Sequence, residues 1–311
     1  MSVWFVGALT TLALAPGSLG VQPAAPNPVV GGEPVTFEES NEYSGVVAVL
    51  FGSTICTGTL IEEDVVLTAS HCLRGVGNAN DIRVFNGLSL EGPGVSAVGF
   101  GMHPDFDVAA KRDAFDYGFI EIPAGALNAT PIPVVLDQDE WDEIAAGLGK
   151  PDAVTLVGYG LDPEAAANES LGVKRKVTTD VRGFTATGIE FIAGGDGRDS
   201  CEGDSGGPAL ARNAAGEFRL IGITARGSDP CGDGGFYGVP YHALAFVSEA
   251  VGRPLCGDSC AACDCLDTTP PPTDDGCGCI TSGGDGGGDS GAPWFLAALV
   301  LGLRARRRST K

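Results

Sequence analysis

Between residues 29 and 251 the chain alternates short β-branched and aliphatic runs with turn-forming residues. Each run is bounded by glycine, proline, asparagine or aspartate, which is typical of many short antiparallel strands in a sandwich or barrel. The sequence therefore predicts an all-β domain. The runs are GVVAVLFG (45–52), TGTLIEEDVVLTA (57–69), DIRVFNG (81–87), DYGFIEI (116–122), AVTLVGYG (153–160) and EFRLIGITA (217–225).

One segment has a helical pattern instead. In YHALAFVSEAVG (241–252) the apolar residues form one face of a helix, and Gly252 ends it. Two later segments have no folding pattern. DTTPPPTDDG (267–276) indicates an extended spacer, and TSGGDGGGDSGA (281–292) indicates a flexible one.

The charge of the chain restricts its partners. Its 311 residues include 40 acidic and 19 basic side chains, and five of the basic ones stand in the last eight positions. The body of the protein is therefore strongly acidic, which argues against nucleic acid or an anionic membrane surface as a partner.

The N-terminus and the cysteines indicate export. Residues 1–20 contain an apolar run followed by small residues, as in a secretory signal peptide. Because no Lys or Arg occurs before Arg74, an apolar strand or helix is the alternative interpretation of this segment. The ten cysteines, an even number, fit an oxidising compartment. We predict an extracellular or bacterial cell-surface protein.

Histidine is scarce, which narrows the search for catalytic groups. Acyl transfer at neutral pH needs a hydroxyl nucleophile, an imidazole base, an orienting carboxylate and donors to the oxyanion. Of the three histidines, His71 follows an apolar run in VVLTASHC, beside a cysteine that could fix its loop. We interpret His103, in MHPDFD, and His242, in the predicted helix, as surface residues.

Three motifs then resemble those of the trypsin-like serine endopeptidases, which have the chymotrypsin fold and form family S1. TASHC, DYGFIEI and CEGDSGGP stand in that family's order, with 45 residues from His71 to Asp116 and 89 from Asp116 to Ser205. The resemblance covers about residues 29–252. It implies two antiparallel six-stranded β-barrels with a C-terminal helix.

The resemblance also implies the role of each residue. Ser205 corresponds to the nucleophile, His71 to the general base and Asp116 to the carboxylate that orients the histidine. The backbone amides of Gly203 and Ser205 correspond to the oxyanion hole. Asp105, Asp107 and Asp113 compete with Asp116 on residue type alone, but only Asp116 opens an apolar strand in which a carboxylate could be buried.

Substrate preference and disulfides follow from the same resemblance. Asp199, six residues before Ser205, matches the aspartate with which members of the family select Arg or Lys, and an exposed loop aspartate is the alternative. Gly227 and Gly235 match the glycines that keep this substrate pocket open. The resemblance implies two disulfides, Cys56 with Cys72 and Cys201 with Cys231.

Three features depart from the family pattern. Ala225 and Arg226 replace a serine that bonds the catalytic aspartate and a tryptophan that lines the cleft. Arg226 could repel basic substrate residues or pair with an acid of this protein. VVGG (29–32) resembles the N-terminus that proteolysis of a zymogen creates, with Val29 inserted beside Asp204, but residue 28 is proline, a poor site for a trypsin-like activator.

The C-terminal region has six clustered cysteines, for which disulfides or a lipidated cysteine are favoured over zinc. The apolar stretch from Ala292 to Leu303 is about half as long as the roughly 20 residues of a spanning helix, and an arginine cluster follows it. The C-terminal region resembles C-terminal sorting signals of exported bacterial proteins, of the myxobacterial or glycine-rich (GlyGly) type, and a degenerate membrane anchor is the alternative.

The predicted organisation of the chain is a signal peptide (1–20), a short propeptide (21–28), a peptidase domain (29–255), a Cys/Pro/Gly-rich linker (256–291) and a hydrophobic sorting or anchor segment (292–311).

These observations favour a secreted or surface-tethered serine endopeptidase that cleaves after Arg or Lys. We expect a monomer without metal or cofactor, with protein or peptide substrates and membrane contact only through the C-terminal segment before processing. A catalytically weak homologue that serves as a surface binding module is the main alternative, and a structural cysteine-rich surface protein ranks last. GDSGAP (288–293) repeats the motif around Ser205, but we interpret Ser290 as part of a spacer.

Overall fold

The protein is described here as a computed structural model over residues 29–106, 115–161, 171–256 and 266–268. The predicted signal peptide, propeptide, sorting segment and most of the linker lie outside these residues. All described residues belong to one compact unit of the chain. Within the described ranges, no helix is long and apolar enough to cross a membrane.

Strands dominate the described part of the chain, and short turns connect them. In chain order they are β1 (Glu33–Pro34), β2 (Val46–Phe51), β3 (Thr54–Glu62), β4 (Val65–Thr68), β5 (Ile82–Phe85), β6 (Val95–Ser96), β7 (Gly99–Met102), β8 (Gly118–Glu121), β9 (Val154–Gly158), β10 (Arg175–Thr179), β11 (Val181–Phe184), β12 (Glu190–Ala193), β13 (Pro208–Arg212), β14 (Phe218–Gly227) and β15 (Gly235–Gly238).

The strands form two curled antiparallel sheets. The first has the order β6-β5-β2-β3-β4-β8-β7, and the second has the order β1-β10-β9-β13-β14-β15-β12-β11. The all-β, chymotrypsin-like fold that the sequence predicts is confirmed. Among the described residues the first sheet has seven strands and the second has eight. β6 and β1, which lie at one edge of each sheet, have only two residues each.

Two α-helices accompany the sheets in the described ranges. The predicted C-terminal helix is confirmed as α2 (Leu244–Val251), which follows a 3-10 turn and ends at Gly252 in the left-handed conformation, with φ 72°. The sequence interpretation missed α1 (Gln138–Gly147), whose Asp137 side chain caps the helix by accepting from the Glu140 N–H at 3.0 Å.

Both faces of β2, in the middle of the first sheet, are buried, which explains its continuous apolar run. On β2, Val46 and Ala48 pack into the core shared with the second sheet. Val47 and Val49 point to the opposite face and pack into a separate core within the first sheet. Since side chains alternate along a strand, a strand that lies between two cores has no polar positions.

A lysine is also buried in this interior. The Lys174 side chain is almost fully buried, and its Nζ donates to the carbonyl oxygens of Tyr43 at 2.8 Å and Asn86 at 3.1 Å. The Tyr159 ring lies beside it, 5.5 Å from Nζ. Because burial disfavours the charged form, it lowers the pKa of Lys174 to about 7.

This lysine is expected to make the stability of the fold depend on pH. Between about pH 7 and 10.5 the unfolded chain binds a proton at Lys174 that the folded protein lacks. The free energy of unfolding should therefore rise with pH, by up to about 1.4 kcal/mol per pH unit relative to Lys174→Met. Denaturant unfolding of both proteins from pH 6 to 10 measures the difference. Lys176→Met, which removes an amine paired with Glu39, is the control, and parallel curves for Lys174→Met and the native protein would contradict the expectation.

Candidate active site

Two neighbouring strands of the first sheet, β4 and β8, bring His71 and Asp116 to the same end of the strand pair. β4 ends at Thr68, and a 3-10 turn over Ser70–Leu73 follows it. β8 begins at Gly118, which pairs with Thr68. Because the strands are antiparallel, the turn that follows one lies next to the segment that precedes the other.

The His71 side chain and backbone both contact Asp116. The ring Nδ1 lies 2.6 Å from Asp116 Oδ2, and the His71 backbone N–H donates to Oδ1 at 2.8 Å. The Asp116 side chain is buried, whereas the His71 side chain is 24% exposed. A proton on Nδ1 that is held by the carboxylate leaves Nε2 with a lone pair, so the imidazole is oriented to act as a base.

The competing acids differ in their surroundings. Asp105 is exposed, and its backbone N–H donates to His103 Nδ1 at 3.2 Å. Asp107 and Asp113 lie outside the described residues.

The other two histidines take part in packing. The sequence placed both at the surface, but both are half-buried, and burial lowers the pKa of each. The His103 ring lies 5.0 Å from the Phe115 ring and 5.1 Å from the Phe246 ring. His242 Nε2 lies 2.7 Å from Thr268 Oγ1.

The loop before β13 places Ser205 against the turn that carries His71. The Ser205 carbonyl oxygen accepts from the Thr57 N–H at 2.8 Å and lies 3.6 Å from Cys72 Sγ. Gly206 has φ 79°, and a Cβ there would come within 2.7 Å of Ala69 N. Glycine after Ser205 is therefore required by the backbone conformation and by the close approach of the two loops.

Gly203 adopts a conformation that glycine allows. Its φ is 94°, and a Cβ would lie 2.8 Å from Gly160 Cα. Its carbonyl oxygen accepts from Thr57 Oγ1 at 2.9 Å. Within the described residues, neither the Gly203 N–H nor the Ser205 N–H donates to a protein acceptor. These two donors are therefore available to a developing oxyanion beside Ser205.

Asp204 is a fully buried carboxylate. It accepts from the N–H groups of Gly160 at 2.8 Å and Cys201 at 2.9 Å, and no cation of the described residues pairs with it. Burial raises the pKa of Asp204 to about 7. Val29 is buried as well, with φ 45°, and the following Val30 pairs with Asp199.

A cavity of about 180 Å³ lies beside Ser205, and Gly227 lies in its wall. A Cβ at Gly227 would meet no atom within 4 Å, so this position leaves the space open. Gly235 is not a lining residue, and a Cβ there would lie 3.0 Å from the Arg226 carbonyl oxygen. The other lining residues are Ser200, Cys201, Glu202, Thr224, Arg226, Ser228 and Cys231.

A larger cavity of about 580 Å³, lined in part by Tyr43 and Phe218, includes neither His71 nor Ser205.

Asp199 is fully buried, next in sequence to Ser200 of the cavity wall, and is not itself a lining residue. Its carboxylate accepts from the N–H groups of Ser200 at 2.8 Å, Gly234 at 2.8 Å and Gly232 at 3.3 Å, and from the Tyr237 hydroxyl at 3.3 Å. Burial raises the pKa of Asp199, and these hydrogen bonds oppose the shift. The alternative of an exposed loop aspartate is therefore wrong.

Both implied disulfides are present, Cys56–Cys72 and Cys201–Cys231, and Cys256 is disulfide-bonded as well. Cys56 and Cys72 lie close to His71, in a group whose donor atoms could hold a metal ion. Because the two sulfur atoms are bonded to each other, neither is available as a thiolate ligand, and this group does not fit a metal.

The two residues that depart from the family pattern lie on β14. Ala225 is buried at a bulge, where the pairing of β14 with β15 shifts register. The Arg226 guanidinium pairs with both carboxylate oxygens of Glu190. Of the two possibilities left by the sequence, Arg226 therefore pairs with an acid of the protein itself. Glu190 was not identified from the sequence.

Comparisons with known proteins agree with this geometry. The family model described as Trypsin matches residues 29–247. A trypsin-like protease of Streptomyces glaucescens is 30% identical over 233 residues, which cover 73% of this chain and 82% of the relative. Trypsin of Saccharopolyspora erythraea is 28% identical over 64% of this chain and 86% of the relative. Glucanase inhibitor protein 1 of Phytophthora sojae is 29% identical over 72% of this chain and 89% of the relative. The chain therefore belongs to the trypsin family and is a serine endopeptidase of the hydrolase class.

Proposed function

We propose that this protein hydrolyses peptide bonds after Arg or Lys through a covalent acyl-enzyme, with Ser205 as nucleophile, His71 as base and Asp116 as the orienting carboxylate. The observation that carries the proposal is the pair of contacts from His71 to the buried Asp116, at 2.6 and 2.8 Å, on the turn against which the Ser205 loop packs.

In the first half of the reaction, His71 Nε2 takes the Ser205 hydroxyl proton while Ser205 Oγ attacks the scissile carbonyl carbon. The N–H groups of Gly203 and Ser205 stabilise the oxyanion that forms. His71 then gives its proton to the leaving amine, and the C–N bond breaks. A water molecule then attacks the acyl-enzyme ester in the same way, with His71 as base. This step releases the carboxylic acid product and restores Ser205.

The preference for Arg or Lys is supported by the charge behind the cavity wall. Asp199 brings a negative charge close to Ser200, which lines the cavity. A cationic substrate side chain would compensate this buried charge, whereas a neutral one would leave it without a counter-charge. Ser200, which lines the cavity, would contact the cation, and the buried charge of the adjacent Asp199 would compensate it from behind the wall.

The second candidate function is that of a binding module without effective catalysis. Ala225 cannot supply the hydroxyl that the family places there, and glucanase inhibitor protein 1 is about as similar to this chain as the proteases are. The loss of one hydrogen bond corresponds to about 1 kcal/mol. We therefore expect a weakened active site rather than an inactive one.

A fluorophosphonate probe, which reacts with an activated serine, distinguishes the two functions. The active enzyme is expected to be labelled at Ser205, and the label should disappear in Ser205→Ala and in His71→Ala. A folded protein that stays unlabelled, while its variants bind protein partners as the native chain does, would establish the binding module instead.

We further propose that the protein is made as a zymogen and that the mature chain begins at Val29. The buried Asp204 lacks a counter-charge among the described residues, and an ammonium group at residue 29 would provide one. Proline at position 28 requires an activator of another specificity. N-terminal sequencing of active protein tests the start, and an upstream start would contradict it.

Processing is expected to change how stability depends on pH. With residues 1–28 attached, the folded chain binds a proton at Asp204 between about pH 3.8 and 7 that the unfolded chain lacks. Its stability should therefore fall as pH rises through this window, by up to about 1.4 kcal/mol per unit. A chain that begins at Val29 should lose this slope, as should the attached form with Asp204→Asn. Unfolding of all three in a Ser205→Ala background, which prevents self-cleavage, measures the effect, and equal slopes would refute it.

Family membership and the disulfides support a secreted or extracellular protein that acts on proteins or peptides. We propose that it is exported by residues 1–20, acts as a monomer, and is held at a bacterial surface by residues 292–311 until this segment is removed. Mass spectrometry of both ends of the mature protein tests the processing. A mature chain that retains residue 311 would exclude removal.

A further inference from the structure

A threonine hydroxyl of the first sheet contacts the loop that carries Ser205. Thr57 lies on β3 and is fully buried. Its Oγ1 lies 2.9 Å from the Gly203 carbonyl oxygen and 3.1 Å from the backbone nitrogen of Tyr159. Tyr159 directly follows β9 of the second sheet. One hydroxyl therefore joins β3, the end of β9 and the loop before β13.

The partners of Thr57 Oγ1 fix the direction of both hydrogen bonds. A backbone N–H can only donate, so the hydroxyl oxygen accepts from Tyr159. A carbonyl oxygen can only accept, so the single hydroxyl proton of Thr57 is donated to Gly203. Because this site is buried, removal of the hydroxyl would leave two backbone groups without their partner.

The Thr57 backbone holds the same loop at a second point. Its N–H donates to the Ser205 carbonyl oxygen at 2.8 Å, and its own carbonyl oxygen accepts from Thr68 Oγ1 at 2.8 Å. Gly203 and Ser205 are the two residues whose N–H groups form the proposed oxyanion hole. Thr57 therefore bonds the carbonyl group of each residue that supplies an oxyanion donor.

Gly203 depends on such a contact because a glycine restrains its own backbone least. Its φ of 94° is only one of several conformations open to a residue without a Cβ. Since φ and ψ together set the angle between the N–H and the C=O of a residue, an anchored carbonyl reduces the freedom of the N–H. The Thr57 hydroxyl therefore supplies a restraint that the Gly203 side cannot supply itself.

The methyl group of Thr57 packs against the same loop. A Cβ at Gly207 would lie 2.9 Å from Thr57 Cγ2, so the methyl group lies against the backbone two residues after Ser205. One branch of the side chain thus forms hydrogen bonds and the other forms a packing contact. Substitutions that remove one branch at a time can separate the two contributions.

We infer that Thr57 is a positioning residue for the reaction, whose hydroxyl orients the Gly203 N–H toward the developing oxyanion. Thr57 is fully buried, so it acts through Gly203 and does not touch the substrate. This inference rests on the proposed function, since it assumes that the N–H groups of Gly203 and Ser205 form the oxyanion hole.

Three substitutions on β3 test the inference. Thr57→Val keeps the shape and the methyl group of the side chain and removes the hydroxyl, whereas Thr57→Ser keeps the hydroxyl and removes the methyl group. Thr59→Val is the matched control, because Thr59 lies two residues later on the same face of β3. Thr59 is buried as well, but its Oγ1 has no hydrogen-bond partner among the residues that the structure describes.

The hydroxyl is expected to affect kcat rather than KM. In Thr57→Val we expect kcat for an Arg peptide to fall about 10- to 100-fold, with KM changed by less than about threefold. The loss should be smaller than for removal of an oxyanion donor, because the Gly203 N–H is still present but poorly oriented. Thr57→Ser and Thr59→Val should keep kcat within about threefold of the native value.

Two inhibitors separate the oxyanion hole from the rest of the site. A peptide aldehyde that ends in argininal adds to Ser205: Oγ bonds the aldehyde carbon, the hydroxyl proton passes to His71, and the aldehyde oxygen takes the place of the oxyanion. Benzamidine, a small cation, enters the cavity beside Ser205 without forming an oxyanion. In Thr57→Val, Ki of the aldehyde should rise about 10- to 100-fold and Ki of benzamidine should change less than about threefold.

A labelling measurement protects the test against misfolding. Rates are divided by the fraction of enzyme that a fluorophosphonate labels at completion. If Thr57→Val gives too little folded protein, Thr57→Ala removes the hydroxyl with a smaller side chain, and the same ratio of the two Ki changes is expected to exceed about tenfold.

Several results would overturn this inference alone. One is native affinity for the aldehyde in a variant without the hydroxyl, and another is an equal loss of affinity for both inhibitors. A loss of kcat in Thr57→Ser or Thr59→Val as large as that in Thr57→Val would also overturn it. Absence of labelling and of any cleavage after Arg in the native enzyme would overturn the proposed function as well.

Discussion

Replacement of Ser205 by alanine is expected to lower kcat for an Arg-containing peptide by about 10⁶-fold, because the acyl-enzyme can no longer form. His71→Ala should cause a similar loss, and Ser205→Ala/His71→Ala should be no worse than either single variant. The reason is that nucleophile and base act as one unit, so removal of either removes the whole contribution. Steady-state hydrolysis at pH 8, with enzyme concentration set by absorbance, measures all three.

The chain provides a matched control for this experiment. Ser290 stands in GDSGAP, which differs from GDSGGP around Ser205 by one residue. Ser290→Ala is expected to keep the native kcat, since the turn that carries His71 packs against the Ser205 loop and the sequence predicts a spacer around Ser290. A loss of activity in Ser290→Ala with retention in Ser205→Ala would refute the assignment of the nucleophile.

The strands of this fold could be predicted from local pattern because burial on both faces leaves long apolar runs. The run at residues 45–52 contains β2, and the run at 153–160 contains β9. Strands of two residues such as β6 could not be predicted, since they are defined by their neighbours and not by their own side chains.

The helix α1 was missed because its apolar face is small. Within it only Trp141 and Ile144 are buried, and the other residues are exposed or partly exposed. A signal was nevertheless present, since Asp137 followed three residues later by Glu140 matches a helix-capping pattern. The size of the apolar face alone was a poor criterion.

The contact of Arg226 with Glu190 could not be predicted, for a different reason. The resemblance to the family implied that an arginine replaces an aromatic residue and left two possible consequences. The choice between them depends on β12 and β14 lying on either side of β15, which brings together residues 36 positions apart. Such a pairing is a property of the sheet order, and no local pattern contains it.

Replacement of Asp199 by serine is expected to lower kcat/KM for Arg and Lys substrates by roughly 10² to 10⁴-fold, because a buried cation loses its counter-charge. Hydrolysis after Leu or Phe should change by less than about tenfold. Asp233→Asn is the control, since this acid is exposed in the neighbouring loop and its N–H bonds Ser228 Oγ. An equal loss in Asp233→Asn would show that the preference arises from the general negative field rather than from Asp199.

The surroundings of Asp199 also predict the outcome of the isosteric change and of acidification. All four of its protein partners are donors, so the amide of Asp199→Asn would place its own N–H groups against them and weaken the site more than its loss of charge alone. Because burial raises the pKa of Asp199, its charge is lost at a higher pH than that of an ordinary aspartate. In the native enzyme KM for Arg substrates should therefore rise as pH falls toward this pKa, while KM for Leu substrates stays constant. Parallel pH profiles for the two substrates would exclude Asp199 as the group that selects the cation.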